Sequence, residues 1–212
     1  MDKRTKDIVV ATVAVGTAVI FVYYALAGRS PKVNLDTYTV LGTVTAEESA
    51  RLAGNKGQVL MMIPDTGPNK NPSVEAEVKA FEQALKKQKG MSTVAERVEA
   101  TAMTMMATGG GVPVEQFFKG LEKHKGVAVL ALFFAFPDLG DAELEIFKKY
   151  GVKTIVVSSP RSNYKRFLDQ GAIQLVISPR QDTPPATTQP PRTIRERFDQ
   201  DFVILASEQA AR

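Results

Sequence analysis

Polar side chains that could bind a ligand follow the apolar runs of this sequence, at the points where predicted strands end. They occupy eight positions: Asp65, Thr66, Asn69, Asn71, Asp138, Ser158, Arg161 and Arg180. Asp and Asn side chains offer paired hydrogen-bonding groups, which suit hydroxyl-rich ligands. The same residue types are common in ordinary turns, so both interpretations stay open.

Composition excludes most catalytic and metal chemistry. The chain has no cysteine, which excludes disulfides, thiolate metal sites and cysteine nucleophiles, and its one histidine is His124. Asp65 and Asp138 could together hold Mg²⁺, but Asp65 has no acidic neighbour and no lysine follows the last predicted strand. The glycines at 109–111 lack the residues of a phosphate-binding P-loop. We therefore predict a protein that is not an enzyme and has no cofactor and no bound metal.

The charge balance argues against a nucleic-acid partner. Lys and Arg number 27 against 23 Asp and Glu, a net charge of +4 spread over 212 residues. A nucleic-acid-binding domain concentrates basic residues on one face or element. Hydrophobic residues make up 44% and charged residues 24%, a balance typical of a folded globular chain.

An uncharged apolar stretch near the N-terminus predicts a single-pass transmembrane helix, or signal anchor, over residues 8–28. Its 21 residues would span about 30 Å of bilayer. Three basic side chains precede it and two follow it, which favours a cytoplasmic N-terminus at residues 1–7. The alternative is a cleaved signal peptide, since Ala25-Leu26-Ala27 resembles a cleavage site. We expect the main domain to be periplasmic and the chain to be anchored in the inner membrane.

Apolar runs then alternate with amphipathic helix patterns, which is typical of a parallel α/β sheet. The predicted strands are 58–63, 91–98, 127–136, 152–157 and 172–178. The run at 127–136 has ten apolar residues, as in a strand buried on both faces. Residues 92–108 fit a strand or a helix, and we prefer a strand for 91–98. The fold class is α/β: a flavodoxin-like, doubly wound parallel sheet of order 2-1-3-4-5 over residues 56–180.

The segments that flank the predicted sheet have weaker patterns. We predict that residues 29–55 form a tether and a short helix that begins at Thr45. Residues 38–44 also have a weak strand pattern. Four prolines predict an extended connector over 181–193. Residues 194–212 predict one more strand at the sheet edge or on a partner, followed by a tail. We expect the methionines of residues 102–108 to fill gaps in the hydrophobic core.

Part of the chain resembles one lobe of the type I periplasmic binding protein fold, of the sugar-binding kind. The resemblance rests on these segments: Met62-Ile63-Pro64, Asn71-Pro72, Val78-x-x-Phe81-x-x-Ala84-Leu85, Gly109-Gly110-Gly111-Val112-Pro113 and Leu144-x-x-Phe147-x-x-Tyr150-Gly151-Val152. Proteins of this family have two lobes that close on a ligand, and this sequence has length for one. The resemblance implies a periplasmic binding protein-like domain.

Two function hypotheses follow from these patterns. In the first, which we prefer, the chain is a non-catalytic, membrane-anchored accessory or structural subunit. It would dock onto a membrane protein assembly through its exposed α/β domain, so its partners would be the membrane and other membrane protein subunits. In the second, it is a small-molecule, sugar-like binding domain related to half of a periplasmic binding protein. The eight polar positions would then bind the ligand.

Overall fold

The computed structural model describes Asp2, Thr17 and residues 34–67, 70–157, 164–181 and 191–207. Apart from Thr17, the predicted membrane span at 8–28 lies outside these residues, and so does most of the proline-rich connector. Three of the eight candidate binding residues also lie outside: Asn69, Ser158 and Arg161. Within the described part of the chain, no helix has both the length and the apolarity that crossing a bilayer requires.

A six-stranded sheet organises the described domain. Its strands are β1 (Gly57–Asp65), β2 (Met91–Glu99), β3 (Val129–Leu132), β4 (Lys153–Val157), β5 (Leu175–Pro179) and β6 (Phe202–Ala206). The strand order is β2-β1-β3-β4-β5-β6, with β1 to β5 parallel and β6 antiparallel to β5. The predicted α/β class, the order 2-1-3-4-5 and the strand at 91–98 are confirmed.

Helices cover both faces of this sheet. In the described residues they are α1 (Leu35–Ala53), α2 (Pro72–Lys86), α3 (Ala102–Ala107), α4 (Val114–Lys123), α5 (Asp141–Lys148), α6 (Lys165–Asp169) and α7 (Ile194–Asp201). Apolar residues of α1, α2 and α7 pack into one core layer, and those of α4, α5 and α6 into the other. The sheet is therefore doubly wound, as predicted.

Alternation along the strands divides the core between the two layers. In β1, Val59, Met61 and Ile63 join the α1–α2 layer, whereas Leu60 and Met62 join the α4–α5 layer. This period of two follows from the pleat of a strand. Both sets are buried, because a parallel sheet with helices on each side leaves neither face to solvent.

The helix predicted from Thr45 begins ten residues earlier, at Leu35, and the strand pattern at 38–44 is wrong. The threonine hydroxyls that suggested a strand donate to carbonyls four residues back, as Thr39 does to Leu35 at 3.0 Å and Thr43 to Thr39 at 2.8 Å. The apolar residues between them, such as Val40, face the core. Helix periodicity thus satisfies both sets of side chains.

Helices α1 and α2 cross closely at Gly42. A Cβ atom at this position would overlap the carbonyl oxygen of Glu77 and lie 3.1 Å from the backbone nitrogen of Phe81. The crossing therefore depends on a residue without a side chain. It makes α1 part of the α/β domain's core rather than a peripheral segment.

Two further local predictions need correction. Residues 194–201 form the helix α7 rather than a strand, because Thr193 accepts from the Glu196 backbone amide at 3.1 Å and begins a helix that buries Phe198. The strand that follows, β6, does pair with the sheet edge as predicted. The methionines at 103 and 106 are not core residues, since α3 presents them to solvent. The central run also forms a shorter strand than predicted, although its residues are mostly buried.

Candidate functional site

The loops that follow β1, β2 and β3 meet at the carboxyl edge of the sheet, because these strands are parallel. In doubly wound folds this edge is where ligands bind. Of the described candidate residues, Asp65 ends β1, and Thr66, Asn71 and Asp138 lie in these loops, while Arg180 directly follows β5.

The two polar residues after β1 that have described hydrogen bonds serve the local fold. Asp65 Oδ1 accepts from the Gly67 amide at 3.0 Å, and Gly67 has a φ of 74° that closes the turn. Asn71 Oδ1 accepts from the Ser73 amide at 3.0 Å and caps α2. For both side chains the turn interpretation accounts for the hydrogen bonds of the carboxylate or amide oxygen.

Arg180 ties the end of β5 to the last turn of α7. Its Nε donates to the carbonyl oxygen of Asp199 at 2.8 Å, and its backbone amide donates to that of Asp201 at 2.8 Å. These bonds hold the antiparallel strand in place at the edge of the sheet. Arg180 therefore has a structural role at the opposite side of the sheet from β1 and β2.

A cavity of about 540 Å³ lies among the loops at this edge, and we call it the carboxyl-edge cavity. Four segments line it. Their lining residues are Ala107, Thr108 and Gly109 after β2, Val112, Pro113 and Val114 at the start of α4, Ala135, Phe136 and Asp138 after β3, and Tyr164 and Phe167 at α6. Its volume falls in the range of roughly 300–1,000 Å³ that small-molecule sites occupy.

Glycines let two of these segments approach each other closely. The Ala135 amide donates to the Gly110 carbonyl at 3.2 Å, and a Cβ atom at Gly111 would lie 3.0 Å from the Ala135 oxygen. Gly109 and Gly110 have φ angles of 61° and 95°, which glycine adopts at little cost. The three glycines therefore join the loop after β2 to the loop that bears Asp138.

Aromatic packing fixes the wall of the cavity on the core side. The Phe136 ring contacts the rings of Phe117, Phe147 and Phe167, with centroids 5.7, 5.4 and 4.9 Å apart. Aromatic pairs at such separations are favourable beyond the area they bury. The wall is thus an extension of the hydrophobic core and is held in place by it.

The electrostatic character of the cavity comes from Asp138. Among the described residues that line the cavity, Asp138 is the one with a charged side chain, and this residue is exposed. A carboxylate accepts hydrogen bonds and donates none. The cavity therefore suits a ligand that offers hydroxyl or ammonium donors to Asp138 and an apolar face to the aromatic wall. In the described residues, no group of three His, Cys, Asp or Glu side chains lies close enough to hold a metal ion.

His124 lies at the far end of α4 from the cavity. Its Nε2 is 2.8 Å from Glu96 on β2, and Lys123 Nζ donates to the same carboxylate at 2.7 Å. Burial alone would raise the pKa of Glu96, but these hydrogen bonds lower it below its ordinary value. The three side chains fasten α4 to the edge strand.

Asp138 is the one predicted binding residue, among those described, that lines the cavity. The sequence patterns gave no reason to select Thr108 or Tyr164, which lie far from Asp138 in sequence and meet it only through the strand order. One signal did point to this place: the glycine run at 109–111 before a helix. That run marks the close approach of two loops.

Solved structures are similar to this domain. AraP, an arabinose binding protein from Geobacillus stearothermophilus, is 17% identical over 82% of this chain and 62% of its own, with a TM-score of 0.53. The sugar-binding protein of a sugar ABC transporter from Bacillus halodurans is 13% identical, with 82% and 63% covered and a TM-score of 0.52. GanP, a glucose-galactose binding protein from Geobacillus stearothermophilus, is 21% identical, with 68% and 48% covered and a TM-score of 0.48.

The chain therefore has a periplasmic binding protein-like α/β fold, as the sequence resemblance implied. At these identities the likeness shows the fold alone. The chain spans between 48% and 63% of the lengths of these three proteins. No protein-family model and no curated protein matches the sequence. The membrane anchor stays a prediction.

Proposed function

We propose that the domain binds a small, sugar-like molecule in the carboxyl-edge cavity, as a non-catalytic domain related to half of a periplasmic binding protein. The observation that carries this proposal is the cavity, which combines an aromatic wall with a carboxylate. Apolar walls with a few placed polar groups are typical of small-molecule sites. The solved proteins that share the fold are named as arabinose- and sugar-binding proteins, which supports the same class of ligand.

The two parts of the cavity match the two kinds of surface on a sugar ring. Asp138 accepts hydrogen bonds from ring hydroxyls, and the wall built on Phe136 offers an apolar surface to the C–H face of the ring. A carboxylate also disfavours anionic ligands, because like charges repel. Neutral sugars are therefore expected to bind better than sugar phosphates or sugar acids.

Thermal unfolding of the purified domain in the presence of neutral pentoses and hexoses tests this proposal. A ligand at 100 times its Kd stabilises the native state by about 2.7 kcal/mol, so the melting temperature should rise by several degrees. Asp138→Ala should weaken binding by roughly 10- to 100-fold, because a hydrogen bond to a charged group is lost.

Asp169→Ala is the matched control, since Asp169 is also exposed but pairs with Lys165 on α6 and does not line the cavity. Its melting temperature should rise by the same amount as that of the wild type when the sugar is added. Unchanged melting temperatures with every sugar, in the wild type and in both variants, would contradict the proposal.

Membrane attachment is a separate part of the proposal, and it rests on the apolar stretch at 8–28. In this arrangement the helix holds the binding domain at the periplasmic face of the inner membrane. Fractionation of cells with protease treatment of spheroplasts tests it, together with sequencing of the mature N-terminus. The accessory-subunit hypothesis also stays a prediction, and the proteins that co-purify from detergent-solubilised membranes would test it.

A further inference from the structure

Two methionines of α3 leave most of their side chains in solvent. Met103 is 80% exposed and Met106 is 85% exposed, whereas Ile146 and Ile194, also exposed, reach only 48% and 51%. Exposed apolar side chains in a cluster commonly mark binding surfaces. Methionine suits such a surface because its flexible thioether side chain adapts to the shape of its partner.

Helix periodicity places these methionines on the same face of α3 as a residue that lines the carboxyl-edge cavity. Residues three and four positions apart lie on one helix face, so Met103, Met106 and Ala107 share a face. Ala107 is part of the cavity wall, as are Thr108 and Gly109. The methionine face is therefore continuous with the rim of the cavity.

The position of this face relative to Asp138 is set by backbone hydrogen bonds. The Gly110 amide donates to the Met105 carbonyl at 2.7 Å, and the Gly110 carbonyl accepts from the Ala135 amide. The end of α3 is thus attached to the loop that carries Asp138. A ligand that reaches Asp138 inside the cavity therefore lies beside the end of α3.

The segment that contains α3 and the three glycines has no charged side chain. Residues 100–114 include no Asp, Glu, Lys or Arg, although such residues make up 24% of the chain. The flanking residues, Glu99 and Glu115, are charged. An uncharged rim favours an apolar group of the ligand over a charged one.

We infer that Met103 and Met106 extend the carboxyl-edge cavity, so that its ligand is a glycoside with an apolar or aromatic substituent rather than a free sugar. This inference rests on the proposed function and assigns the ligand class within it. The sugar ring lies against the aromatic wall with its hydroxyls toward Asp138. The substituent lies across the exposed face of α3 and covers the two methionines.

Calorimetric titration with matched methyl and phenyl glycosides of the same pentoses and hexoses tests this inference. The wild type should bind the phenyl glycoside of the preferred sugar at least 10-fold more tightly than its methyl glycoside. The double variant Met103→Ser/Met106→Ser should reduce this preference below 3-fold and leave the affinity for the methyl glycoside unchanged. Ile146→Ser, which removes an exposed apolar side chain from α5, is the control and should keep the preference.

The outcomes separate the inference from the proposed function. Equal affinities for methyl and phenyl glycosides in the wild type, or a preference that survives in the double variant, would overturn the inference and leave sugar binding intact. Failure of every glycoside to bind would overturn the proposed function as well. Sedimentation velocity tests whether a second copy of the chain covers the methionines instead. If the wild type forms a dimer and the double variant does not, the methionine face is a dimer interface and the inference is wrong.

Discussion

The two helical layers of this domain differ in how they meet the sheet. The layer of α1 and α2 is closed, since the two helices cross with backbone contact at Gly42. The layer of α4, α5 and α6 opens at the carboxyl edge, where the carboxyl-edge cavity reaches the aromatic cluster around Phe136. One layer therefore provides stability, and the other combines stability with access for a ligand.

The two layers also differ in the environment of their carboxyl groups. Glu77 in the closed layer is buried, and its Oε1 has no hydrogen-bond partner among the described residues. Burial raises the pKa of Glu77 to about 8, so it is mostly neutral at physiological pH. Asp138 in the open layer is exposed instead, and it lines the carboxyl-edge cavity. The closed layer therefore buries its carboxyl group, whereas the open layer has one at the surface of a cavity.

Replacing Gly42 by alanine should cause the largest loss of stability of any single substitution considered. The new Cβ would overlap the Glu77 carbonyl, so the helices must separate, and overpacking of this kind typically costs about 1–3 kcal/mol. We expect a loss of about 3 kcal/mol in the free energy of unfolding, because a rigid backbone atom is involved. Urea denaturation measures this change.

Gly120→Ala makes the same substitution in the open layer. Its Cβ would lie 2.7 Å from Cε of Met62, the end of a flexible side chain that can move aside. Alanine also favours a helix by roughly 1 kcal/mol over glycine. Gly120→Ala should therefore stay within about 1 kcal/mol of the wild type. Equal losses in the two variants would show that the layers do not differ in this way.

The second prediction concerns the pH dependence that Glu77 creates. Its folded pKa of about 8 exceeds the ordinary value of 4.5, so between these pH values the unfolded chain has released a proton that the folded chain keeps. Stability should then fall by roughly 1.4 kcal/mol per pH unit across this window. Glu77→Gln, which stays neutral, should remove that slope. Urea denaturation from pH 4.5 to 9 measures it.

Glu47→Gln is the control for this prediction, because Glu47 is exposed on α1. It should keep the slope of the wild type. If Glu77→Gln instead runs parallel to the wild type at all pH values, Glu77 is ionised in the folded protein and the closed layer contains a charge.

The strands could be predicted because their signals are local, and their order followed from the usual order of flavodoxin-like sheets. Each buried strand is an apolar run, and the run at 58–63 differs from β1 only at its ends. The full length of α1 could not be predicted in this way. Its buried face packs against α2, where Gly42 lies close to Glu77 far along the chain, and the sequence pattern of a threonine-rich segment does not show such a contact.

The candidate site was predictable in part for a similar reason. Asp138 follows the central strand, so the rule for parallel sheets places it at the carboxyl edge. Asp65 and Asn71 satisfy the same rule but form a turn and a helix cap, because Asp and Asn are also ordinary residues of turns and caps. Tyr164 and Thr108 could not be selected, because only the tertiary structure brings their segments to Asp138.

The smallest expected effect concerns the ion pair that joins α7 to α1 within the closed layer. Glu48 on α1 accepts from Arg195 on α7 at 2.9 Å and from Arg51 at 2.8 Å. Burial would raise the pKa of Glu48, but the hydrogen bonds from these arginines lower it below 4.5 overall. Both arginine side chains are about half exposed, so solvent weakens the pairs. Glu48→Gln should therefore lower stability by about 1 kcal/mol at pH 7.

The sign of the pH dependence distinguishes this pair from Glu77. A carboxyl group with a lowered pKa stabilises the fold above its ordinary pKa, and this contribution disappears as the pH falls through the folded pKa. The difference between Glu48→Gln and the wild type should thus shrink in acid, whereas the difference for Glu77→Gln grows with rising pH. Glu145→Gln removes the exposed pair with Lys148 on α5 and should change stability by less than about 0.5 kcal/mol at either pH. A Glu48→Gln deficit that stays constant from pH 7 to pH 3 would mean that packing, rather than charge, joins α7 to α1.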